Sequence, residues 1–164
     1  MIVFDSSTLI LLAKIEILDL LLNDYHGEIT IPESVEKECT VKDTFDGLLI
    51  KKRISERKIK IKAAEMKETE RLMADFNLDI GEGESIMLAL RNNCSLATDD
   101  RNAMRACKLL KVQFITAVDI LIRAHEKKLL VQESAMIKLG ELAKHGRYKK
   151  SIIADAKKML YGGK

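Results

Sequence analysis

The pattern of apolar and polar residues at the start of the chain predicts a short buried strand that leads directly into a helix. Residues 2–4 are Ile-Val-Phe, a run of β-branched and aromatic side chains that is typical of a strand. Asp5 ends this run, and the small hydroxyl residues at 6–8 favour a helix start. Leucine and isoleucine then recur at helical spacing over residues 9–22, so the predicted order is strand, acidic residue, helix.

The same order occurs again near residue 100. Residues 95–98 form a small predicted strand that ends at Asp99 and Asp100, and a helical pattern follows over residues 101–110. A strand over 112–115 and a helix over 117–125 come next. Strands that alternate with helices predict a central parallel sheet with helices on both faces, which is a three-layer α/β/α fold.

Other predicted elements fill the rest of the chain. Residues 28–31 are typical of a second strand, and Pro32 suits the first turn of a helix that ends near Cys39. Within the otherwise patternless segment 41–61, residues 59–61 alternate like an edge strand. Helices are predicted over residues 63–76, 82–92, 133–144 and 151–160. No linker composition interrupts the chain, so we expect a single α/β domain over residues 1–164 whose last part, 131–164, is a C-terminal helical extension.

Composition narrows the class of protein. The 28 Lys and Arg residues nearly balance the 25 Asp and Glu residues, so the net charge of +3 does not by itself indicate a nucleic-acid partner. Basic residues crowd segments 51–62 and 147–158, which are either ordinary solvated helix faces or basic flanks of an acidic centre. Charged residues interrupt the apolar N-terminal stretch, and the three cysteines are widely spaced. We therefore expect no membrane span, no signal peptide, no disulfide and a cytoplasmic location.

Acidic residues follow both predicted strand–helix units. In an open parallel sheet, ligands bind beyond the carboxyl ends of the strands, near the point where the strand order reverses. If the strands before Asp5 and before Asp99-Asp100 are neighbours, their carboxylates face one another. Two unit charges about 4 Å apart repel by roughly 4 kcal/mol at an effective dielectric near 20. Shared protons or hard divalent cations between the oxygens would offset this repulsion.

Two glutamates are candidates to join these acids. Glu38 lies beside the helix face that Val35 and Cys39 would bury, although an ordinary surface position explains it equally simply. Glu84 shares a helix face with Met87 and Leu88, at spacings of three and four residues. An acid on or beside an apolar face is unusual, so both are functional candidates.

Some of the acids also have a purely local explanation. Asp79 and Glu82 stand in capping-box register, which gives Glu82 a role in starting its own helix. Glu84 lies two residues on, about 200° around the helix axis, so we expect Glu84 and not Glu82 to face the other acids. Either Asp99 or Asp100 caps the helix that begins near residue 101, which leaves the other free to ligate a metal.

Together these residues resemble the PIN domain. The resemblance is carried, in the family's order, by Asp5-Ser-Ser7, Pro32-x-x-Val35-x-x-Glu38, Gly81-Glu-Gly-Glu84-Ser-Ile-x-Leu-Ala89 and Thr98-Asp-Asp100-Arg. It covers residues 1–130, whereas the segment 41–76 matches no motif. The Gly-Glu-x-Glu block is similar to the VapC-like branch of archaeal and bacterial proteins that are predicted to bind nucleic acid.

The resemblance implies a three-layer α/β/α domain, usually a homodimer, that cleaves RNA with the help of Mg²⁺ or Mn²⁺. The family's acidic positions, which are catalytic and bind the metal, match Asp5, Glu38, Glu84 and Asp100. Asp99 beside Asp100 is a further candidate metal ligand. The mechanism implied is attack on phosphorus by a water that the metal activates.

The resemblance also suggests supporting residues. Ser7 and Thr98 match small hydroxyl positions that orient the carboxylates through hydrogen bonds. Arg101 and Arg105 are the basic residues nearest to Asp100 in the sequence and are candidates to bind flanking RNA phosphates.

Other functions fit parts of the pattern. A non-catalytic PIN-like module would keep the fold for contact with RNA or protein. Phosphotransfer domains also place an aspartate after the first strand, but Asp5-Ser-Ser7 lacks the Asp-x-Asp of the phosphatases. The three histidines lack metal-ligand spacing, which disfavours zinc, and the scarcity of aromatic residues disfavours a base-stacking platform. The sequence leaves open the RNA substrate, an antitoxin partner, and a toxin or RNA-processing role.

Overall fold

Five short strands form one parallel sheet in the computed structural model, which describes residues 1–162. The strands are β1 (Ile2–Phe4), β2 (Ile29–Pro32), β3 (Lys60–Lys62), β4 (Ser95–Ala97) and β5 (Phe114–Ile115). Their order in the sheet is β3-β2-β1-β4-β5, and every neighbouring pair is parallel. Residues 163 and 164 of the predicted domain lie outside the described residues.

Helices cover both faces of the sheet. They are α1 (Ser6–Lys14), α2 (Leu18–Asp24), α3 (Glu33–Thr40), α4 (Phe45–Ser55), α5 (Met66–Phe76), α6 (Ile80–Arg91), α7 (Arg101–Leu110), α8 (Ala117–Glu126), α9 (Gln132–His145) and α10 (Lys150–Gly162). The predicted three-layer α/β/α fold is confirmed.

Alternation along the strands divides the interior into two cores. Phe4 and Ala97 point to the face that α1, α8 and α9 cover. Their neighbours Val3 and Leu96 point to the opposite face, covered by α5, α6 and α7. This division follows from the two-residue period of a strand, and the near-continuous apolar strands suit a sheet that is buried on both sides.

The apolar segment 9–22 forms two helices, so the prediction of one continuous helix was wrong. The chain turns at Glu16, whose φ of 58° is incompatible with a continuing right-handed helix. Ile15 and Ile17 on either side of it are buried in the core. Burial of these apolar side chains therefore accompanies the break in the helical hydrogen-bond ladder.

The segment without a clear sequence pattern contains α4. Thr44 caps this helix by accepting a hydrogen bond from the Gly47 N–H at 3.4 Å, and Ile50 is fully buried. The predicted edge strand is present as β3, at the end of the sheet next to β2. Because β3 runs to Lys62, α5 begins at Met66 and not at residue 63 as predicted.

The C-terminal helices α9 and α10 pack on α8 and on each other. Leu139 and Leu142 of α9 and Leu160 of α10 are buried in the same core as α1. The predicted C-terminal helical extension is thus part of one of the two main cores. Within residues 1–162, no helix has the length and apolar character needed to cross a membrane.

Candidate active site

The candidate site lies where the strand order of the sheet reverses. The chain moves outward from β1 through β2 to β3, then crosses back to β4 beside β1 and continues to β5. β1 and β4 are hydrogen-bonded neighbours with Phe4 opposite Ala97, and the Asp5 N–H donates to the Ala97 carbonyl at 3.0 Å. Asp5 and the segment 98–100 therefore leave the same edge of the sheet side by side, as the sequence predicted.

Asp5 is the most deeply buried acid of this edge, with 1% of its surface exposed. Its Oδ1 accepts from the Ser7 N–H at 2.7 Å, the Ser7 hydroxyl at 2.5 Å and the Thr8 N–H at 3.4 Å, and its Oδ2 accepts from the Thr98 hydroxyl. Burial raises the pKa of Asp5 to about 6, against the lowering effect of these four hydrogen bonds. Ser7 and Thr98 thus hold the carboxylate as the resemblance implied.

Asp100 and Asp99 have different surroundings. Asp100 caps α7, since its Oδ1 accepts from the Asn102 and Ala103 N–H groups at 2.7 and 2.9 Å. Its Oδ2 accepts no hydrogen bond within residues 1–162. Asp100 therefore satisfies the capping role with one oxygen and keeps the other available.

The Asp99 side chain faces α1, α8 and the loop 146–149, whereas Asp100 faces the start of α7. Its Oδ2 accepts from the Thr8 hydroxyl at 2.6 Å and the Ala117 N–H at 2.9 Å, and its Oδ1 accepts from the Tyr148 hydroxyl. Burial raises its pKa, and the neighbouring charge that adds to this effect is Asp119. Asp99 thus ties α1, α8 and the loop 146–149 together, and its role as a metal ligand stays a prediction.

Glu84 is buried on α6 and faces the start of α3. Only 7% of its surface is exposed, and its Oε2 accepts from both the hydroxyl and the N–H of Ser34. The N-terminus of α3 thus points its positive end at this carboxylate. The Oε1 atom of Glu84 accepts no hydrogen bond among the described residues.

Glu82 has both a local and a shared role. The predicted capping box is confirmed: the Glu82 N–H donates to Asp79 Oδ1 at 2.8 Å and the Asp79 N–H donates to Glu82 Oε2 at 3.0 Å. Burial raises the pKa of Glu82 to about 7, and the negative charges of Asp79, Asp100 and Asp5 raise it further. The charges of Asp100 and Asp5 are thus near enough to act on Glu82, and the expectation that Glu84 is the glutamate that faces them stays a prediction.

Glu38 lies at the solvent-facing rim of the same region. Its side chain is exposed, unlike Asp5 and Glu84. A Cβ placed on Gly81 would stand 3.4 Å from Glu38 Oε2, so this carboxylate borders the first turn of α6. The pKa of the buried Cys39 thiol is raised first by burial and then by the charges of Glu38 and Asp5, which puts both carboxylates near one sulfur.

The acids converge on one edge without forming a closed cage. Within the described residues, no three side chains of His, Cys, Asp or Glu are close enough to hold a metal ion. The charges of Asp5 and Asp100 nonetheless act on the Glu82 carboxylate, and helix N-termini point at this edge from several sides. The arrangement provides hard oxygen donors, which suit Mg²⁺ or Mn²⁺.

The predicted basic residues Arg101 and Arg105 are exposed on α7. They line a groove of about 630 Å³ that Asp99 and Tyr148 also border. The two arginines that are close to Asp100 in the sequence therefore lie on a surface next to the acidic edge.

The sequence did not predict the roles of three hydrogen-bonding residues at this edge. Ser34 follows Pro32 by two residues in a helix start, a position that signals a hydroxyl donor but not its partner. Thr8 belongs to the hydroxyl run 6–8, where the sequence indicates a helix start but not the distant partner Asp99. Tyr148 has no local signal, because its partner Asp99 is 49 residues away.

Comparison with known proteins agrees with this geometry. A family model described as a PIN domain matches residues 1–160, which includes α9 and most of α10 as well as the motifs in residues 1–130. A search of curated proteins found no match. Because the family model matches nearly the whole chain, the protein belongs to the PIN-domain family.

Proposed function

We propose that this protein is a metal-dependent endoribonuclease that cleaves RNA phosphodiester bonds. PIN domains are usually nucleases and generally use divalent metal ions, so a hydrolase acting on nucleic acid is the coarse function. The finer proposal is that RNA is the substrate and that Mg²⁺ or Mn²⁺ is the ion.

The observation that carries the proposal is the buried carboxylate of Asp5, hydrogen-bonded on both oxygens at the switch point of the sheet. A carboxylic acid whose pKa is raised to about 6 by burial destabilises the fold at neutral pH unless a positive charge compensates it. Asp100 and Glu84 each hold one oxygen by hydrogen bonds and present the other without a partner among residues 1–162. Such a set of oxygens is suited to a hard cation.

Asp5, Asp100 and Glu84 would hold the ion, with Glu38 at the rim. Glu82 is added to this set because burial raises its pKa to about 7 and the charges of Asp79, Asp100 and Asp5 raise it further. When bound, Mg²⁺ or Mn²⁺ supplies a water of lowered pKa for attack on phosphorus and stabilises the charge on the leaving oxygen.

The remaining residues orient these carboxylates. Ser7 and Thr98 fix both oxygens of Asp5, and Ser34 fixes one oxygen of Glu84. Fixed carboxylates lose little conformational freedom on binding a cation, which favours affinity. Asp99 has a positioning role in this proposal: it holds Thr8, at the start of α1, and the Ala117 N–H, at the start of α8.

A non-catalytic PIN-like module for RNA or protein is the second candidate. It is favoured by the absence of a preformed three-ligand metal site within residues 1–162. A homodimer, an antitoxin partner, a toxin role and a cytoplasmic location are further parts of the proposal that rest on the family resemblance and the sequence.

The test is cleavage of a labelled single-stranded RNA by the purified protein in Mg²⁺, Mn²⁺, Zn²⁺ or EDTA. We expect cleavage with Mg²⁺ or Mn²⁺, none in EDTA and no specific gain with Zn²⁺. Asp5→Asn should abolish cleavage, whereas the control Asp75→Asn, at an exposed position of α5, should not. Mn²⁺ should also raise the melting temperature of the parent protein but not of Asp5→Asn. Cleavage undiminished by EDTA would contradict the metal mechanism, and RNA binding without cleavage or metal binding would favour the second candidate.

A further inference from the structure

A groove with strongly basic walls opens directly beside the acidic edge. One wall is α7, which contributes Arg101, Arg105 and Lys108, and the other is the loop 146–149 between α9 and α10, which contributes Arg147 and Lys149. The groove has a volume of about 630 Å³ and begins at Asp99, the residue next to Asp100. It therefore continues outward from the candidate active site.

The positive charges of this groove are not neutralised by the protein. All five basic side chains are exposed, and none of them forms an ion pair within residues 1–162. Lys108 lies 6.0 Å from the centroid of the Phe114 ring, and that contact leaves its charge intact. The single acid of the groove, Asp99, is already hydrogen-bonded to Thr8, Ala117 and Tyr148.

Some other basic residues of the chain are neutralised by ion pairs. Arg53 is paired with Asp19 and Glu56, and Arg91 is paired with Glu65 and Glu68. The cations of α7 are instead spaced at four and three residues along one face, where like charges repel. A concave surface with several repelling, uncompensated cations attracts a polyanion.

The lining also contains surfaces that suit nucleotides. Leu109 is 65% exposed, and Ile152 at 44% exposure lines the opposite side. The hydroxyl of Tyr148 donates to Asp99 while its side chain lines the groove, so one residue links the groove to the acidic edge. Exposed apolar side chains beside the cations give the bases of a bound strand a surface to contact, while phosphate contacts supply most of the affinity.

We propose that this groove binds the phosphates of single-stranded RNA on one side of the cleaved bond. The α7 wall and the loop 146–149 contact the same strand. This inference rests on the proposed function for the position of the cleaved bond. It assigns phosphate binding to Lys108, Arg147 and Lys149 in addition to Arg101 and Arg105. The C-terminal part of the chain thereby becomes part of the substrate site.

The experiment measures binding of a fluorescein-labelled 12-nucleotide oligouridylate by anisotropy in EDTA, from 0.05 to 0.5 M salt. Two double variants remove one wall each: Arg105→Gln with Lys108→Gln, and Arg147→Gln with Lys149→Gln. The control, Lys51→Gln with Lys52→Gln, removes two exposed and unpaired charges from α4. Each wall variant should reduce the salt slope of log K by about 1.4, since each lost phosphate contact on a single strand contributes roughly 0.7. If variant and parent bind equally at 1 M salt, this change in slope makes the variant bind about 25-fold more weakly than the parent at 0.1 M salt.

Several results would overturn the proposal. They are no RNA binding by the parent protein, an equal loss in the α4 control, or a loss from one wall only. A loss of affinity for poly-L-glutamate with unchanged RNA binding would instead identify the groove as a surface for an acidic protein partner. Because the binding is measured in EDTA, it tests the groove whether or not the protein cleaves RNA. Cleavage with unchanged KM in both wall variants would refute the groove and leave the proposed nuclease function standing.

Discussion

Replacing Asp5 by Asn should stabilise the metal-free protein at neutral pH. The pKa of Asp5 rises from 3.8 to about 6 on folding because its carboxylate is buried. The shift of about 2 units, at roughly 1.4 kcal/mol each, means that the ionised carboxylate lowers the free energy of unfolding by about 3 kcal/mol at pH 8. Asparagine removes the charge, so the variant should recover about 1 to 3 kcal/mol.

The hydrogen bonds of Asp5 are compatible with this substitution. An asparagine oxygen still accepts from the Ser7 N–H and hydroxyl, and asparagine caps helices as well as aspartate does. The Thr98 hydroxyl rotates to accept from the new amide group in place of donating to Oδ2. Asp5→Ala serves as the matched variant that loses the cap and should be less stable than Asp5→Asn by about 1 kcal/mol.

The sign of the pH dependence follows from the raised pKa. The folded protein holds the Asp5 proton more tightly than the unfolded chain, so the contribution of Asp5 to stability is full below pH 3.8. It is lost as the pH rises through about 6. The advantage of Asp5→Asn should therefore be largest at pH 8 and small at pH 4.

Urea unfolding in EDTA at pH 4, 6 and 8 measures this difference. A gain near 3 kcal/mol corresponds to a rise in melting temperature of roughly 6 to 12 °C for a chain of this length. If Asp5→Asn is less stable than the parent protein at pH 8, the carboxylate is a structural requirement of α1 and the argument from burial fails.

The remaining predictions concern the other acids and the assembly. Glu84→Gln should reduce RNA cleavage by orders of magnitude with little change in melting temperature. Glu82→Gln should keep its capping bond and be at least as stable as the parent protein at pH 8. A large loss of stability in Glu82→Gln would contradict the raised pKa of Glu82. Tyr148→Phe should lower the free energy of unfolding, measured with urea, by about 1 to 2 kcal/mol, because the charged Asp99 carboxylate loses the hydrogen bond from Tyr148. Unchanged stability would show that this bond contributes nothing. Light scattering at micromolar concentration should give the mass of a homodimer, formed through apolar faces of early and late helices, and a monomeric mass would refute this prediction.

Local patterns in the sequence predicted most of the elements and the location of the site. The two-residue period of strands and the helical spacing of leucines identify β1, β4 and the helices after them. The cap Asp79 is recognisable because a cap and its helix are only a few residues apart, whereas the choice of Asp100 over Asp99 as the cap of α7 came from the structure. Two acids at the ends of strands also predicted the switch point, since parallel strands bring their carboxyl ends to one edge.

Two helical regions differ from the sequence prediction, and packing explains both differences. The helix over 9–22 divides at Glu16 because Ile15 and Ile17 both reach the core, a choice that helical periodicity alone does not favour. α4 was missed because its apolar face is narrow, with Ile50 and Gly47 as its only buried residues in a mostly exposed helix. In both places packing against neighbouring helices outweighs the local pattern.

The sequence by itself determined the alternation of strands and helices, the capping box of α6 and the position of acids at the carboxyl ends of β1 and β4. Only the tertiary structure decided what each carboxylate faces. Thr8 and Asp99 are 91 residues apart, Ser34 and Glu84 are 50 apart, and Tyr148 and Asp99 are 49 apart. Side-chain direction at such separations depends on how helices pack, and no periodicity in the sequence encodes it. The basic groove has the same origin, because its two walls meet only when α10 packs against α8 and α9.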